Sequence, residues 1–502
     1  MAIMKSETQS KLYARLKELA VIRSTGALLS WDEQTHLPPA GTAWRAEQLA
    51  YVSKSAHGMF TSDEVGDWLT ALEQTSDAAD VHSDLGANLR TLRHEYDRAK
   101  KLPPALVEEL ARTEVLAQNA WVDARKKSSW KDFEPWLEKT IGLKKQVGNC
   151  YGFKDHMYDA LLGDYEPHEK TSTIKGVFEQ LRQPIVEMVK KVQSSKKRPK
   201  KLTGPFPIDK QEAFGKIAAE AIGFDFNAGR LDVSVHPFCS GMAAGDTRMT
   251  TRYREHELTD ALFGVLHETG HALYEQGLQK DKYVGQPLAD AISLGIHESQ
   301  SRMWENLVGR SRSFWKHFAP IARQHFNLQA LTDDDLMFAM NEIEPSYIRV
   351  EADEVTYNLH ILMRFEMETS LITGELDVKN VPEAWNERVT KYLGLKVDKD
   401  SNGCLQDVHW AAGLFGYFPT YTLGNLYSAQ FYEAARKELG DLDAMFAKGE
   451  FKPLLNWLRT NIHQHGRRYT ARELVQRVTG RPLEAAPLLK YLNGKVDEFY
   501  GD

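Results

Sequence analysis

The sequence contains few cysteines and no long apolar run. Its three cysteines, Cys150, Cys239 and Cys404, are far apart and form no CxxC pair, which argues against both a disulfide framework and a thiolate metal site. Residues 1–7 lack the apolar segment of a secretory signal, and no stretch approaches the ~20 apolar residues that a membrane helix requires. These absences predict a protein of a reducing compartment, by default the cytoplasm, with no membrane partner.

A large excess of charge of one sign is also missing. The formal net charge is -7 over 502 residues, so there is no overall electrostatic attraction to nucleic acid. The one strongly basic run, residues 190–201, is interrupted by a proline and paired serines and contains no aromatic residue. We interpret it as a solvated loop between helices in preference to a docking patch for acidic partners. Substrate capture must therefore depend on local charges.

Most of the sequence has the apolar spacing of amphipathic helices. The clearest predicted helices are residues 10–22, 83–101, 104–126, 130–151, 173–192, 344–371 and 427–438. Residues 230–235 and 246–253 instead alternate polar and apolar residues in the manner of strands. The length alone would suggest about two to four domains, but no boundary is evident. We predict one catalytic unit over residues 1–502, with helical walls at 1–229 and 422–502 and the metal and substrate motifs at 230–421.

The pentapeptide His267-Glu268-Thr269-Gly270-His271 is the minimal helical unit for a catalytic zinc. Positions i and i+4 of an α-helix lie about 6 Å apart on one face, so His267 and His271 can both bind one ion. Glu268 then lies beside the metal, where it can take a proton from the attacking water. A surface helix with two solvated histidines is the alternative. We favour the metal site because apolar residues at helical spacing surround the motif, and histidines are costly to bury without a ligand.

A zinc hydrolase needs a third protein ligand and an open position for water. The next acidic-rich helix, which begins after Pro287, contains Glu298, and we predict that this residue is the third ligand. Its neighbour His297 points about 100° away around the helix, so only one of the two can bind the metal directly. Asp290 and Glu305, on other turns of the same helix, are expected to be ordinary surface charges.

One predicted strand and one predicted helix carry charged residues that could contact a substrate. The strand period places Asp246 and Arg248 on one face, so this strand could pair with an extended peptide or be a charged edge strand. In the helix opened by Pro345, Arg349 and Asp353 are four residues apart. A surface ion pair is the ordinary explanation of that spacing, whereas a partly buried guanidinium would suit a carboxylate.

Three further polar residues follow in the segment 403–421. A zinc peptidase needs hydrogen-bond donors near the developing oxyanion, and His409, Tyr417 and Tyr421 are candidates. The alternative is that each tyrosine is a core residue with a satisfied hydroxyl. His236, at the end of the first predicted strand, is uninformative by itself.

Taken together, these segments resemble the carboxypeptidase Taq family of metallocarboxypeptidases. The family patterns HPF, DxRxT, HExxH, HES(Q), IRxxAD and GxxQDxHW occur in order at 236–238, 246–250, 267–271, 297–300, 348–353 and 403–410. The stretch 29–39 also resembles the amino-terminal part of the family, so the resemblance spans nearly the whole chain. No metal or catalytic position departs from the family pattern.

The resemblance implies a mainly helical fold of zincin type, with a very small sheet and a deep groove between helical walls. It also implies a homodimer that cleaves single residues from peptide carboxyl termini. By motif position, His267, His271 and Glu298 are the metal ligands and Glu268 is the catalytic acid/base. The family is usually treated as zinc-dependent and is often active with cobalt, and nitrogen and oxygen donors accept both ions.

We expect water attack on the last peptide bond of a peptide with a free carboxylate. Tyr421, assisted by His409 or Tyr417, would stabilise the oxyanion. Arg349, or else Arg248 with Asp246 and His236 nearby, would bind the terminal carboxylate. An aminopeptidase or oligopeptidase is the nearest enzymatic alternative, although no GxMEN segment is present. A non-catalytic helical scaffold is the alternative from a different class.

Overall fold

The computed structural model describes residues 2–501, which are mostly helical. The first ten helices are α1 Ala2–Thr35, α2 Thr42–Phe60, α3 Asp63–Glu73, α4 Asp84–Lys101, α5 Pro104–Lys127, α6 Trp130–Tyr151, α7 Met157–Leu162, α8 Thr171–Ser194, α9 Ile208–Ile222 and α10 Leu258–Gly277. The remaining helices are α11 Leu294–Arg302, α12 Arg312–His325, α13 Asp333–Met340, α14 Thr356–Thr373, α15 Val381–Leu393, α16 Pro419–Leu439, α17 Leu442–Phe446, α18 Lys452–Asn461, α19 Ala471–Thr479 and α20 Ala486–Tyr500.

Local signals in the sequence set many of these boundaries. The Ser83 hydroxyl accepts a hydrogen bond from the backbone N–H of Gly86 and so caps the start of α4. Helix α19 begins with a capping box, in which Thr470 and Glu473 satisfy each other's backbone N–H groups. Helix α14 ends at Gly374, whose φ of +85° lies in the left-handed region that glycine adopts without strain.

The only sheet in the described residues has three strands, β1 Gly229–Val233, β2 Cys239–Ala243 and β3 Asp246–Thr251. The strand order is β1-β3-β2, with β3 parallel to β1 and antiparallel to β2. Strand β3 therefore has a partner on both sides. The prediction that this strand could pair with an extended peptide is wrong, and so is the alternative of an edge strand, because its backbone groups already form ladders on both sides.

Two hydrophobic cores lie in different parts of the chain. The main core runs from Leu106 to Tyr500 and includes the fully buried Trp304, Trp315 and Trp385. The N-terminal core is much smaller and joins helices α1 to α4; its members are Leu12, Leu16, Leu19, Phe60, Val65, Leu69, Leu72, Leu85, Leu89, Leu92 and Tyr96. Across residues 2–501, no helix is long and apolar enough to span a bilayer.

The predicted fold class, mainly α with a very small sheet, is confirmed. The predicted helix 344–371 is wrong in its first part, because α14 begins only at Thr356. The carboxylate of Asp353 accepts hydrogen bonds from the backbone N–H groups of Val355 and Thr356, which places it ahead of the helix as a cap. Residues 344–355 are otherwise irregular, with a single 3-10 turn at Arg349–Glu351. Arg349 and Asp353 are therefore not neighbours on a helix face.

Candidate metal centre and substrate site

Helices α10 and α11 bring together the three predicted metal ligands. His267 and His271 lie one turn apart on α10, and Glu298 lies on α11. The Nε2 atoms of the two histidines are 3.6 Å and 3.3 Å from Glu298 Oε2. One donor atom from each of the three residues lies within 4.8 Å of the other two. This spacing leaves room for one cation between them.

Each histidine is held by a hydrogen-bond partner on its other ring nitrogen. His267 Nδ1 is 2.8 Å from the carboxylate of Glu305, which lies on the π-helical turn after α11. His271 Nδ1 is 3.1 Å from the carbonyl oxygen of His297. A histidine that donates its Nδ1–H in this way presents the lone pair of Nε2 to a metal. The tautomers that these partners select therefore suit metal binding.

Glu305 is not the surface charge that the sequence predicted. Its side chain is largely buried, and Arg302 binds both Glu305, at 3.3 Å, and Glu298, at 2.7 Å. His297 is also not free: its Nε2 is 2.8 Å from Glu275 Oε1. His297 Nδ1 also lies 2.5 Å from His271 Nδ1, so His297 contacts the other ring nitrogen of His271 and is not one of the three converging residues.

The donor set and its electrostatics fit a divalent ion such as zinc. Two imidazole nitrogens and one carboxylate oxygen form a common catalytic zinc set. Burial alone would raise the pKa of Glu298, but Arg302 and His267 hold it well below its usual range. For His271, burial and the neighbouring His297 lower the pKa to about 4. Glu298 is therefore ionised and His271 neutral near pH 7, as metal ligands must be. Burial lowers the pKa of His267, but Glu298 and Glu305 outweigh this effect and raise it to about 9, so His267 must release a proton when a metal binds.

Glu268 lies in the same buried environment, next to His267 on α10. Its side chain is 6% exposed. Burial raises its pKa to about 7, with a smaller opposing effect from His267. A carboxyl group with a pKa near the working pH can both accept and return a proton. Glu268 therefore has the protonation behaviour of a general base and acid.

Helix α16 packs tightly against the metal-binding carboxylate. A Cβ atom at Gly424 would lie only 2.4 Å from Glu298 Cγ, so only glycine allows this close approach. Tyr421 lies one turn earlier on α16. Its hydroxyl is 3.4 Å from His409 Nε2, and the centroid of its ring is 5.3 Å from the ring centroid of Tyr417. The three predicted oxyanion donors thus form one cluster beside α11.

His409 is held neutral in this cluster. Burial lowers its pKa to about 4, although Asp407 opposes this effect. Its Nδ1 is buried and has no hydrogen-bond partner among the described residues. A neutral imidazole has one N–H to donate. His409 can therefore act as a hydrogen-bond donor but not as a cation.

Arg349 is 5% exposed and forms a network that the sequence did not predict. Its Nε and Nη2 atoms donate to Asp407 at 3.0 and 2.9 Å, and its Nη1 donates to the hydroxyl of Tyr357 at 3.0 Å. Asp407 also binds the fully buried Arg364 at 2.6 Å. The guanidinium of Arg302 lies 4.5 Å from the ring of Tyr357. The arginine site is thus connected to Glu298 through Tyr357 and Arg302.

The strand residues lie in a different environment. Arg248 binds both carboxylate oxygens of Asp246, at 2.8 and 2.9 Å, so the two side chains share one face as the strand period predicted. The guanidinium of Arg248 lies 4.6 Å from the ring of Trp31 on α1. His236 is exposed, and its carbonyl oxygen accepts a hydrogen bond from Ser234. Strand β3 packs against α10, but among the described residues no hydrogen bond, ion pair or ring contact joins the side chains of these three residues to His267, His271 or Glu298.

Sequence reasoning missed five residues that support the site. They are Arg302, Glu305, Tyr357, Arg364 and Asp407. Arg302 and Glu305 had a usable signal, because they lie one and two turns after Glu298. Asp407 lies 58 positions from Arg349, and no local periodicity relates positions so far apart.

Comparison with known proteins agrees with this architecture. The sequence pattern of the carboxypeptidase Taq (M32) metallopeptidases matches residues 11–496. Thermostable carboxypeptidase 1 of Thermus thermophilus is 45% identical over 97% of both chains. Carboxypeptidase 1 of Bacillus subtilis is 36% identical over 98% of both chains.

Solved structures show the same similarity over the whole fold. An M32 carboxypeptidase from Deinococcus radiodurans has a TM-score of 0.95 at 37% identity, covering 99% of this chain and 100% of that chain. Metallocarboxypeptidase 1 of Trypanosoma cruzi has a TM-score of 0.94 at 34% identity, covering 98% and 99% of the two chains. The chain therefore belongs to the carboxypeptidase Taq (M32) metallopeptidase family and is a metallocarboxypeptidase, a hydrolase of peptides.

Proposed function

We propose that this metallocarboxypeptidase uses one zinc ion per chain, held by His267, His271 and Glu298, to release single amino acids from peptide carboxyl termini. The proposal depends on one observation, the convergence of these three side chains beside the buried Glu268. When bound, zinc supplies Lewis acidity, which lowers the pKa of water and polarises a carbonyl group. Cobalt is the expected substitute, since it accepts the same nitrogen and oxygen donors.

Glu268 is the proposed general base and acid. Its carboxylate takes a proton from the attacking water and returns it to the leaving amine. The pKa of about 7 that burial gives this group supports both transfers. Because α10 carries Glu268 next to His267, the same helix positions the ligand and the base.

Tyr421 is the proposed hydrogen-bond donor to the oxyanion, assisted by His409 or Tyr417. A neutral imidazole and a phenol hydroxyl can both donate to an oxygen that gains negative charge. The pKa of Tyr421 is raised well above its usual range by burial, so its hydroxyl stays protonated. The 3.4 Å distance between Tyr421 and His409 supports their action as a pair.

Arg349 is the proposed partner of the substrate carboxylate. A guanidinium has five N–H groups, and the contacts to Asp407 and Tyr357 occupy three of them. The two remaining groups can bind a carboxylate in a two-pronged manner. Arg248 is the alternative, with Asp246 and His236 as accompanying substrate contacts, but its guanidinium pairs with Asp246 and lies against Trp31, whereas Arg349 is linked to Glu298 through Tyr357 and Arg302.

The test compares a blocked dipeptide that has a free carboxylate with its amidated twin, in the zinc-loaded enzyme and after chelation. We expect hydrolysis of the free acid only, loss of hydrolysis with chelator, and recovery on addition of zinc. Equal cleavage of both peptides would contradict the proposed binding of the substrate carboxylate by Arg349. Cleavage of the free acid in the absence of metal would contradict the zinc assignment, and a requirement for a free amino terminus would indicate an aminopeptidase.

We further propose that residues 1–502 act as one catalytic unit in a cytoplasmic homodimer. The three free cysteines support a reducing compartment, and the family resemblance supports the dimer. Light scattering coupled to size exclusion would measure the mass in solution. A mass near the 57.1 kDa of one chain would contradict the dimer.

A further inference from the structure

A polar cavity lies apart from the metal centre, and none of the proposed site residues line it. We call it the Arg90 cavity. Its walls come from α4, from the loop that follows α7 and from residues 467–471, and its volume is about 280 Å³. The charged and imidazole side chains that line it are Arg90, His94, Glu95, Arg98, Asp164, His168 and Arg467. The cavity is large enough for a small molecule but not for a folded peptide segment.

Three arginines and two carboxylates line this cavity. Arg98 forms an ion pair with Asp164 at 2.5 Å, and Arg467 forms one with Glu95. Arg90 has no such partner among residues 2–501. Its guanidinium donates only to backbone carbonyl oxygens, those of Val81, Arg467 and Arg468. Glu473 acts on this guanidinium from outside the cavity lining and opposes the effect of burial on its pKa, but it forms no ion pair with Arg90. Among the described residues, Arg90 is therefore the lining arginine that has no carboxylate at ion-pair distance.

Two imidazole rings complete the wall without partners of their own. The rings of His94 and His168 lie 4.9 Å apart. In the part of the chain that the structure describes, neither ring makes a hydrogen bond. Burial, the neighbouring His168 and Arg98 lower the pKa of His94 to about 4, so its ring is neutral near pH 7. Each neutral ring still has one N–H to donate.

His168 has an unusual backbone conformation. Its φ is +69°, in the left-handed region that is uncommon for residues other than glycine, although histidine adopts it more often than most. This conformation places the imidazole at the cavity although a glycine would adopt it at lower cost. Strained residues of this kind occur often at binding sites, and this observation is independent of the charge count.

We propose that the Arg90 cavity binds a small phosphate-class oxyanion, either free phosphate or the phosphate group of a small metabolite. Arg90 supplies the charge, and His94 and His168 supply neutral N–H donors. An amino acid fits less well, because its ammonium group would need a free carboxylate. Both lining carboxylates, Glu95 and Asp164, are already paired with arginines. The site thus differs from the metal centre in both position and ligand.

Calorimetry with inorganic phosphate tests this proposal on the full-length, zinc-loaded protein at constant ionic strength. We expect saturable binding with a stoichiometry of one. Arg90→Gln should weaken binding at least about tenfold, since it removes the lining arginine that has no ion-pair partner. Arg112→Gln on the exposed face of α5 is the matched control and should bind as the parent does. Phosphate that binds to the metal instead would be insensitive to Arg90→Gln, and this result would overturn the proposal.

A second variant is needed because Arg90→Gln also loses contacts to three carbonyl groups and could disturb folding. His168→Gly removes one donor but relieves the backbone conformation, so the fold should be kept. We expect it to weaken phosphate binding about threefold or more with no loss of Tm. Unchanged affinity in this variant would overturn the proposal.

Two further ligands identify the source of the oxyanion. Tighter binding of a phosphomonoester than of inorganic phosphate would support a metabolite, and the reverse would support free phosphate. If glycine competes at the same site as strongly as phosphate does, the phosphate assignment is wrong.

Discussion

At the residue scale, the metal centre depends on partners that orient each ligand. Glu305 and the carbonyl oxygen of His297 fix the ring nitrogens of His267 and His271, and Arg302 holds Glu298. Such partners affect metal affinity nearly as much as the ligands do. Only the side chain next to them, Glu268, has no fixed hydrogen-bond partner within residues 2–501. This freedom suits a group that must exchange protons with water and substrate.

Glu268→Gln should remove turnover while leaving the metal in place. The amide cannot accept a proton, so we expect kcat to fall by about 10²- to 10⁴-fold. Metal content, measured by mass spectrometry, should stay at the parental level because the three ligands are unchanged. Glu257→Gln, at the exposed start of the same helix, is the control and should keep parental activity. A parental rate in Glu268→Gln would disprove the assignment.

Glu166 gives a prediction about pH. Burial raises its pKa to about 8, although hydrogen bonds from Gly295 and Ser293 oppose this effect. Its Oε2 atom is buried without a partner in the described chain. Because the folded state binds this proton more tightly than the unfolded state does, stability is lost as the pH rises from about 4.5 towards 8.

Glu166→Gln should therefore remove part of the decline in stability at alkaline pH. The amide resembles the protonated acid, so we expect little change in Tm at pH 5. At pH 9 the variant should be more stable than the parent by about 2 °C. Scanning calorimetry at both pH values measures the difference. An equal difference at the two pH values would contradict the raised pKa.

At the element scale, α14 holds in place the segment that carries the oxyanion donors. Glu368 on this helix accepts hydrogen bonds from Trp410 Nε1 at 2.9 Å, from the backbone N–H of Gly416 at 3.0 Å and from the hydroxyl of Tyr158 at 2.6 Å. Trp410 and Gly416 lie next to His409 and Tyr417 respectively. A single buried carboxyl group thus anchors both ends of the donor segment to one helix.

Glu368→Gln should disturb this segment from a distance. The substitution replaces one carboxylate oxygen by an NH₂ group that faces another hydrogen-bond donor. A buried donor left without an acceptor lowers the free energy of unfolding by about 1–3 kcal/mol. We expect a lower Tm and a kcat reduced several-fold, with metal content unchanged. Glu375→Gln, exposed just beyond the end of the same helix, is the control. Parental kcat in Glu368→Gln would show that the anchor does not position the donors.

The element scale also shows where sequence periodicity was misleading. Residues 344–355 have helix-like spacing, but Asp353 caps α14 and Arg349 turns towards Asp407. The ion pair with a distant carboxylate decides the conformation of this loop. Strand β2 was missed for a related reason. Its residues, Cys239–Ala243, have little strand propensity and are extended because β3 pairs with them.

At the scale of the whole molecule, the two cores differ in size and connection. The N-terminal core joins α1 to α4, and the main core contains the metal centre. Their apolar junction is small and consists of the cluster Ala87, Tyr283, Leu288 and Ala289. Polar contacts also join them, among them the hydrogen bond between Asn88 and Gln286 at 2.8 Å and the ion pairs Arg98–Asp164 and Arg468–Asp84. Helices that bury less apolar surface open at lower free energy.

Hydrogen exchange should therefore separate the two regions. We expect buried amides of α1 and α3 to exchange faster than those of α10, α11 and α16 in the zinc-loaded protein. Chelation should increase exchange in α10 and α11, because the ion joins these two helices. Mass spectrometry of exchanged peptides measures both effects. Equal protection in the two cores would contradict this division.

The sequence by itself determined much of the cluster that forms the candidate metal centre. A helix repeats every 3.6 residues, so the spacing of His267 and His271 already places both rings on one face. Glu298 could be predicted as the third ligand because the next acidic helix contains few other candidates for that role. Apolar periodicity likewise predicted the mainly helical fold, since the apolar spacing of one helix can be recognised within a short stretch of sequence.

Only the tertiary structure decided how these elements meet. It paired Arg349 with Asp407, gave β3 a neighbour on both sides and placed Glu305 behind His267. It also assembled the Arg90 cavity from five separate parts of the chain, residues 90–99, Tyr151, residues 163–168, Ile292 and residues 467–471. Contacts between distant positions depend on packing and loop closure, whose free energies involve the whole fold. Local periodicity carries no information about them.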